Sequence, residues 1–131
     1  MNLPAVVAAW LREDDAISDR LNDRVYTVLP KTTPEKPVAL VSRIGGSPLI
    51  PDTVRLWEAL IQVSVWANRK AEVADLSDLI VRAIHDLPGR TYRGVHVSKV
   101  EFVSIVSDMD TSADPAVPRV LIRFYLNARA V

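Results

Sequence analysis

An alternating segment that runs straight into an amphipathic helix constrains this chain more than any other feature. In Ile61-Gln62-Val63-Ser64-Val65-Trp66-Ala67, an extended backbone puts Ile61, Val63, Val65 and Ala67 on one face and Gln62, Ser64 and Trp66 on the other. The apolar spacing then switches from two to the helical period. Over residues 69–87, Val73, Leu76, Ile80, Ala83, Ile84 and Leu87 form one stripe, while Arg69, Asp75, Asp78, Arg82 and His85 lie largely away from it. Asn68 is the expected N-cap and Pro88-Gly89 the expected stop. A strand with one apolar face, followed by a helix with one apolar stripe, is satisfied when the helix packs on the sheet.

The rest of the chain supplies partners for that pair. Residues 4–13 read as a helix with Pro4 in its first turn and Val6, Val7, Trp10 and Leu11 on one face. Asp14 or Asp15 can cap a further short stretch carrying Ile17 and Leu21, so two helices or one bent helix both satisfy the pattern. Residues 24–29 read as a short strand ended by Pro30, and 31–37 (KTTPEKP) as a loop. Residues 38–44 form a strand expected to stop at Gly45-Gly46. The stretch 45–52 (GGSPLIPD) is an expected loop, and 54–67 the next strand.

Residues 94–107 alternate with a change of phase. Val95 and Val97 belong to one face, Val100, Phe102 and Val106 to the other, and a bulge or break near Lys99 reconciles the halves. A polar turn is expected over 108–118. In the final strand Val120, Ile122, Phe124, Leu126 and Ala128 alternate with an outer row that includes Arg119, Arg123 and Arg129. The expected architecture is α+β: an antiparallel or mixed sheet of about four to five strands, with one long helix over about 69–87 and short N-terminal helices packed on it. The 131 residues are expected to form a single domain spanning 1–131.

Composition narrows the function. The 16 Lys+Arg balance the 16 Asp+Glu, which argues against a dedicated nucleic-acid binder and leaves association unopposed by net charge. The absence of cysteine excludes disulfide scaffolds, thiolate metal sites and cysteine nucleophiles. Residues 1–10 are apolar but lack a basic start and soon meet Arg12, Glu13, Asp14 and Asp15; they read as neither signal peptide nor membrane span. His85 and His96 fall in different elements without metal-ligand spacing, and read as structural. Asp108, Asp110 and Asp114 resemble the start of a calcium loop, but Ala113 stands at the glycine position and Arg119 at the acidic twelfth. Gly45-Gly46-Ser47-Pro48 lacks the residues of a phosphate or nucleophile loop. No catalytic constellation emerges, so neither an enzyme nor a cofactor is expected.

Two surface features remain. Arg119, Arg123 and Arg129 on the last strand are either a solvated sheet face or a stripe that meets acids of a neighbouring subunit or lines a channel. The loops 31–37 and 45–52, the latter with Ser47, Leu49 and Ile50, either pack locally or serve as contact points, contact being the favoured reading.

The order of pieces resembles a known family. Helices leading into Arg24-Val25-Tyr26, a proline-bearing loop, and Ile61-Gln62-Val63-Ser64-Val65-Trp66-Ala67 passing into the helix at 69–87 are similar to the tail terminator (tail completion) proteins of long-tailed bacteriophages. The resemblance covers nearly the whole chain. It implies a structural protein without catalysis that forms a homo-oligomeric ring, typically a hexamer. The ring caps the tail tube, ends its polymerisation and joins the head. The implied partners are the tail tube protein and a head-completion or neck protein, with passing contact to DNA and none to membrane. The implied location is the head-proximal end of the virion tail, and the host cytoplasm during assembly. In such a ring Gln62, Ser64, Arg123 and Asn127 would face the channel. A head-to-tail interface needs two different patches per subunit, and Arg119, Arg123 or Arg129 meeting Asp75 and Asp78 of a neighbour is one candidate. The alternatives are a neck head-closure or adaptor protein and a ferredoxin-like small-molecule-binding domain.

Overall fold

The computed structural model describes residues 2–48 and 56–131. The chain opens with α1 (Leu3–Glu13) and α2 (Asp15–Leu21), so the N-terminal helical region is two helices. Asp14 ends the first and caps the second, its carboxylate accepting from the Ile17 amide at 3.1 Å. Then come β1 (Val25–Tyr26), β2 (Val38–Pro48), β3 (Leu56–Trp66), α3 (Lys70–His85), β4 (Thr91–Tyr92), β5 (Val95–Asp110) and β6 (Val117–Ala130). The α+β expectation holds. The sheet has six strands rather than four to five, in the order β1-β2-β3-β6-β5-β4, because β1 and β4 contribute two residues each. It is mixed: β1 runs parallel to β2, and every other pairing is antiparallel.

The core lies between the sheet and the helices. Ile61, Val63 and Val65 of β3, and Val120, Ile122, Phe124, Leu126 and Ala128 of β6, are buried on the side that receives Val73, Leu76, Ile80, Ala83 and Ile84 of α3. Leu3, Val7 and Leu11 of α1 and Ile17 and Leu21 of α2 complete the same cluster. Trp10 is pinned across it, its indole N–H donating to the Ala83 carbonyl at 2.7 Å while Tyr92 meets its ring edge-on. No helix among the described residues is long and apolar enough to cross a membrane.

Four local expectations change. Arg69, not Asn68, occupies the N-cap of α3, and without a capping side-chain bond. The strand expected over 24–29 shortens to β1, since only Val25 and Tyr26 find partners, at Ala39 and Leu40. Gly45-Gly46 do not stop β2. The strand bulges between Arg43 and Gly45 and continues to Pro48, paired with β3. Gly46 holds φ at +101°, and a Cβ there would lie 2.2 Å from the Glu58 carbonyl oxygen, so glycine lets the two backbones approach. The rest of the loop expected at 45–52, from residue 49 on, and the start of the strand expected at 54 lie outside the described residues.

The fourth change concerns β5 and its turn. The expected bulge is present between Val97 and Lys99, and it returns Val100 and Phe102 to the core side, opposite Leu126 and Phe124. A second bulge between Phe102 and Ser104 then sends Val106 to the other face, opposite Leu121. The turn expected over 108–118 contracts, because Asp108, Met109 and Asp110 still pair in the ladder with Arg119, Pro118 and Val117.

Candidate functional site

Among the described residues the three helices pack on one face of the sheet, and the other face of β3 and β6 carries polar and half-buried groups. Leu60, Gln62, Ser64 and Trp66 point there from β3, opposite Tyr125, Arg123, Leu121 and Arg119 of β6. Three residues singled out from the sequence meet in one row. Arg123 Nε donates to Gln62 Oε1 at 2.8 Å, and Gln62 Nε2 donates to Ser64 Oγ at 3.1 Å. The register makes this row: Gln62 stands directly across from Arg123, and Ser64 is two residues further on the same face.

At one end of this face sits a tighter cluster. Arg119 grips Asp108 with two parallel bonds, Nε to Oδ1 at 2.9 Å and Nη2 to Oδ2 at 2.7 Å, and its Nη1 lies 3.9 Å from Asp110. Asp110 also accepts from the Trp66 indole at 2.8 Å and from the Ser112 hydroxyl at 2.6 Å. The guanidinium of Arg119 holds the Asp108 carboxyl below the ordinary aspartate range. Bonds from Ser112 and then Trp66 lower Asp110 in the same way. Trp66 floors an apolar cleft of about 150 Å³ between the 31–37 loop and the β5–β6 turn, bordered by Leu29, Pro34, Val38 and Val117.

The other sequence candidates are dispersed. Arg129 is exposed near the far end of β6. Asp75 and Asp78 are exposed on the outward side of α3, in the helix layer and not on the sheet face that carries the arginines. Within one chain the arginines and these two acids therefore do not meet, and Arg119 already has acidic partners in its own hairpin. Ser47 lies in β2, in register with Glu58, while Leu49 and Ile50 lie outside the described residues. His96 shares a hydrogen bond with Thr91 across β4 and β5, and His85 is exposed in the last turn of α3. Among the described residues no group of three or more His, Asp or Glu side chains is placed to hold a metal ion.

Sequence reasoning missed Asp108, Asp110 and Trp66 as one cluster. The signal was the hairpin itself: a turn shortened to 111–116 puts Asp108 opposite Arg119, an opposite-charge cross-strand pair. It also missed a bare apolar strip on β5. Val103 and Ile105 are 54% and 52% exposed, with Val106 and Met109 beside them.

Fold and surface together define a small α+β protein whose polar groups hold one another and whose distinctive chemistry lies on its faces and edges. Residues 5–126 match the family described as Tail completion protein gp17, and the chain belongs to that family. It is a structural protein of the bacteriophage tail, located in the virion. A chain in the structure of the virion of a native gene transfer agent (GTA) particle has the same fold. The two superpose with a TM-score of 0.78 over 98% of this chain and 95% of that one, at 16% identity. No curated protein matches the sequence.

Proposed function

We propose that this protein forms a ring, of six copies as the resemblance implies, that caps the tail tube at its head-proximal end. The ring ends tube polymerisation and presents the surface that joins the head. Its partners are the tail tube protein on one side and a head-completion or neck protein on the other. Membership of the tail completion family supports the reading. The observation that carries it furthest is the sheet face that bears no helix among the described residues, with its Arg123-Gln62-Ser64 row. A sheet face without a helix layer, polar but low in net charge, suits the wall of a channel through which DNA passes without being held.

Channel lining is the role carried forward for Gln62, Ser64 and Arg123, with Asn127 on the same face. Pairing of Arg119, Arg123 or Arg129 with Asp75 and Asp78 of a neighbour would need the helix layer of one subunit over the sheet face of the next. The 31–37 loop and the apolar cleft beside it, Ser47 in β2, and Leu49 and Ile50, which lie outside the described residues, are proposed as contacts to tube or head.

Electron microscopy of the protein mixed with purified tail tubes tests the ring. Density at one tube end, together with tubes that no longer elongate, is the expected result. Indifference to tubes, with binding to the head portal side alone, would instead favour a neck adaptor.

A further inference from the structure

We propose that neighbouring subunits join by continuing the sheet: the open edge of β5 in one copy pairs with the open edge of β2 in the next. This rests on the ring reading and names the surfaces that close it.

Both outer strands are only partly covered. β1 pairs with Ala39 and Leu40, and among the described residues nothing pairs with the outer edge of β2 from Val41 to Pro48. β4 pairs with Val95 and His96, and among the described residues nothing pairs with the outer edge of β5 beyond them, to Asp110. A long edge strand of this kind presents unpaired N–H and C=O groups to another chain, in runs here interrupted by the bulges of both strands, Lys99 and Pro48. Here the middle of β5 carries Val103, Ile105 and Val106 in solvent, and β2 presents Ile44, 45% exposed, at its bulge.

Direction and charge both select a second copy as the occupant. In the order β2-β3-β6-β5 the strands alternate, so β5 is antiparallel to β2. Rotation about an axis roughly along the strands then brings β5 of one copy beside β2 of the next as an antiparallel pair. The two patches differ, as a head-to-tail interface requires. The open segment of β5 holds Lys99, Glu101, Asp108 and Asp110, and together with the Arg119 that grips Asp108 these sum to −1, whereas the open segment of β2 holds Arg43 alone, +1. An acidic edge thus meets a basic one.

The open stretches also lie towards opposite ends of the sheet. β1 blocks β2 at the end that holds Asp108 and Arg119, while β4 blocks β5 at the end that holds Trp57 and Ala128. Full pairing therefore needs a stagger between neighbours, and a stagger repeated around a closed ring tilts every strand against the ring axis.

Two edge variants, Ile44→Lys and Ile105→Lys, test this by native mass spectrometry in the presence and absence of tail tubes. Both side chains are about half exposed, so each variant is expected to fold, which thermal melting checks. Each alone is expected to stay monomeric where the wild type assembles. Mixed together they are expected to give a 1:1 dimer and nothing larger, because one intact β5 edge and one intact β2 edge remain.

Rings formed by either variant as readily as by the wild type would overturn the edge pairing while leaving the ring itself intact. Dimers of Ile44→Lys alone would show β5 pairing with β5, and would overturn it too. A wild type that forms no ring even on tubes sinks the ring reading and the edge proposal with it. Hydrogen exchange on the unmodified protein gives a readout independent of folding in the variants. The amides of 41–48 and of 98–110 are both expected to gain protection on assembly, and unchanged exchange in either segment refutes the pairing.

Discussion

The two ends of β5 share a strand and a partner but not an environment. At its start Val95 and Val97 are buried; from the second bulge onward Val103, Ile105 and Val106 stand about half in solvent. Their residue types are the same. What differs is cover: the first end lies within the cluster that includes Leu87 and Ile84, whereas Ile105, opposite Ile122, extends past the helix layer and Val106, opposite Leu121, points to the other face. The start of α3 reaches only the margin of that extension, where Lys70, Val73 and Ala74 border a groove against Met109 and Pro118. Apolar character at the covered end stabilises the folded chain, and the same character at the bare end is what the proposed edge pairing would use.

The sharpest way to break this contrast is to truncate one residue from each region. Phe124 is fully buried and packs against Phe102 with ring centroids 5.8 Å apart. Phe124→Ala is expected to destabilise the monomer by about 3–5 kcal/mol, through lost burial and the cavity left behind. Ile105→Ala is expected to stay within about 0.5 kcal/mol of wild type. Urea denaturation of both variants measures this, and comparable losses would mean that the bare strip is part of the monomer core after all.

Gly46 probes the bare edge of β2 in the same way. A methyl group there meets the Glu58 carbonyl oxygen and the Ala59 Cα of the adjacent strand, at 2.2 and 2.6 Å, and neither can swing aside. Gly46→Ala is expected to lose at least about 2 kcal/mol from strain and strand separation. Gly89 and Gly94 also have positive φ but have nothing within 4 Å of an added Cβ. Alanine at either is expected to lose only about 1 kcal/mol. Equal losses at all three would assign the whole effect to backbone conformation. At the covered end, Asp14→Ala removes the cap of α2 and is expected to lower stability by about 1 kcal/mol, read from the same denaturation curves.

These positions also show where the sequence was legible. Ile61, Val63 and Val65, the stripe from Val73 to Leu87, and the row from Val120 to Ala128 were readable because each buries one face only, and burial imposes a period. The bulge near Lys99 was readable for the same reason, as a break in phase. Gly45-Gly46 misled because glycine ordinarily marks a turn; its role here is set by Glu58, a residue on another strand. β1 and β4 were invisible because two residues carry no period, and their pairing is decided by the tertiary fold. On the candidate face, the outward position of Arg119 and Arg123 followed from alternation. Their partners did not, since Gln62 and Asp108 become neighbours only once the register is known.

The smallest expected effect concerns the Arg119 cluster at the far end of the bare hairpin. Its pairing lowers the folded-state carboxyls of Asp108 and Asp110. Depressed acids contribute stability that is present above the unfolded aspartate value of about 3.9 and lost as pH falls through the lower folded values. The side chains of Arg119 and Asp108 are 26% and 36% exposed, so solvent screens the pair, and its contribution is expected to stay below about 1 kcal/mol. Arg119→Gln should therefore melt slightly below wild type at neutral pH, and the gap should close as the buffer is taken below the unfolded aspartate value and through the lower folded values. Melting curves of both proteins between neutral and acidic pH decide the matter. A gap that survives in acid would mean that Arg119 acts by packing its methylene stem against the strand rather than by its charge. The hairpin's outer end would then be held by the same apolar contacts as its covered end.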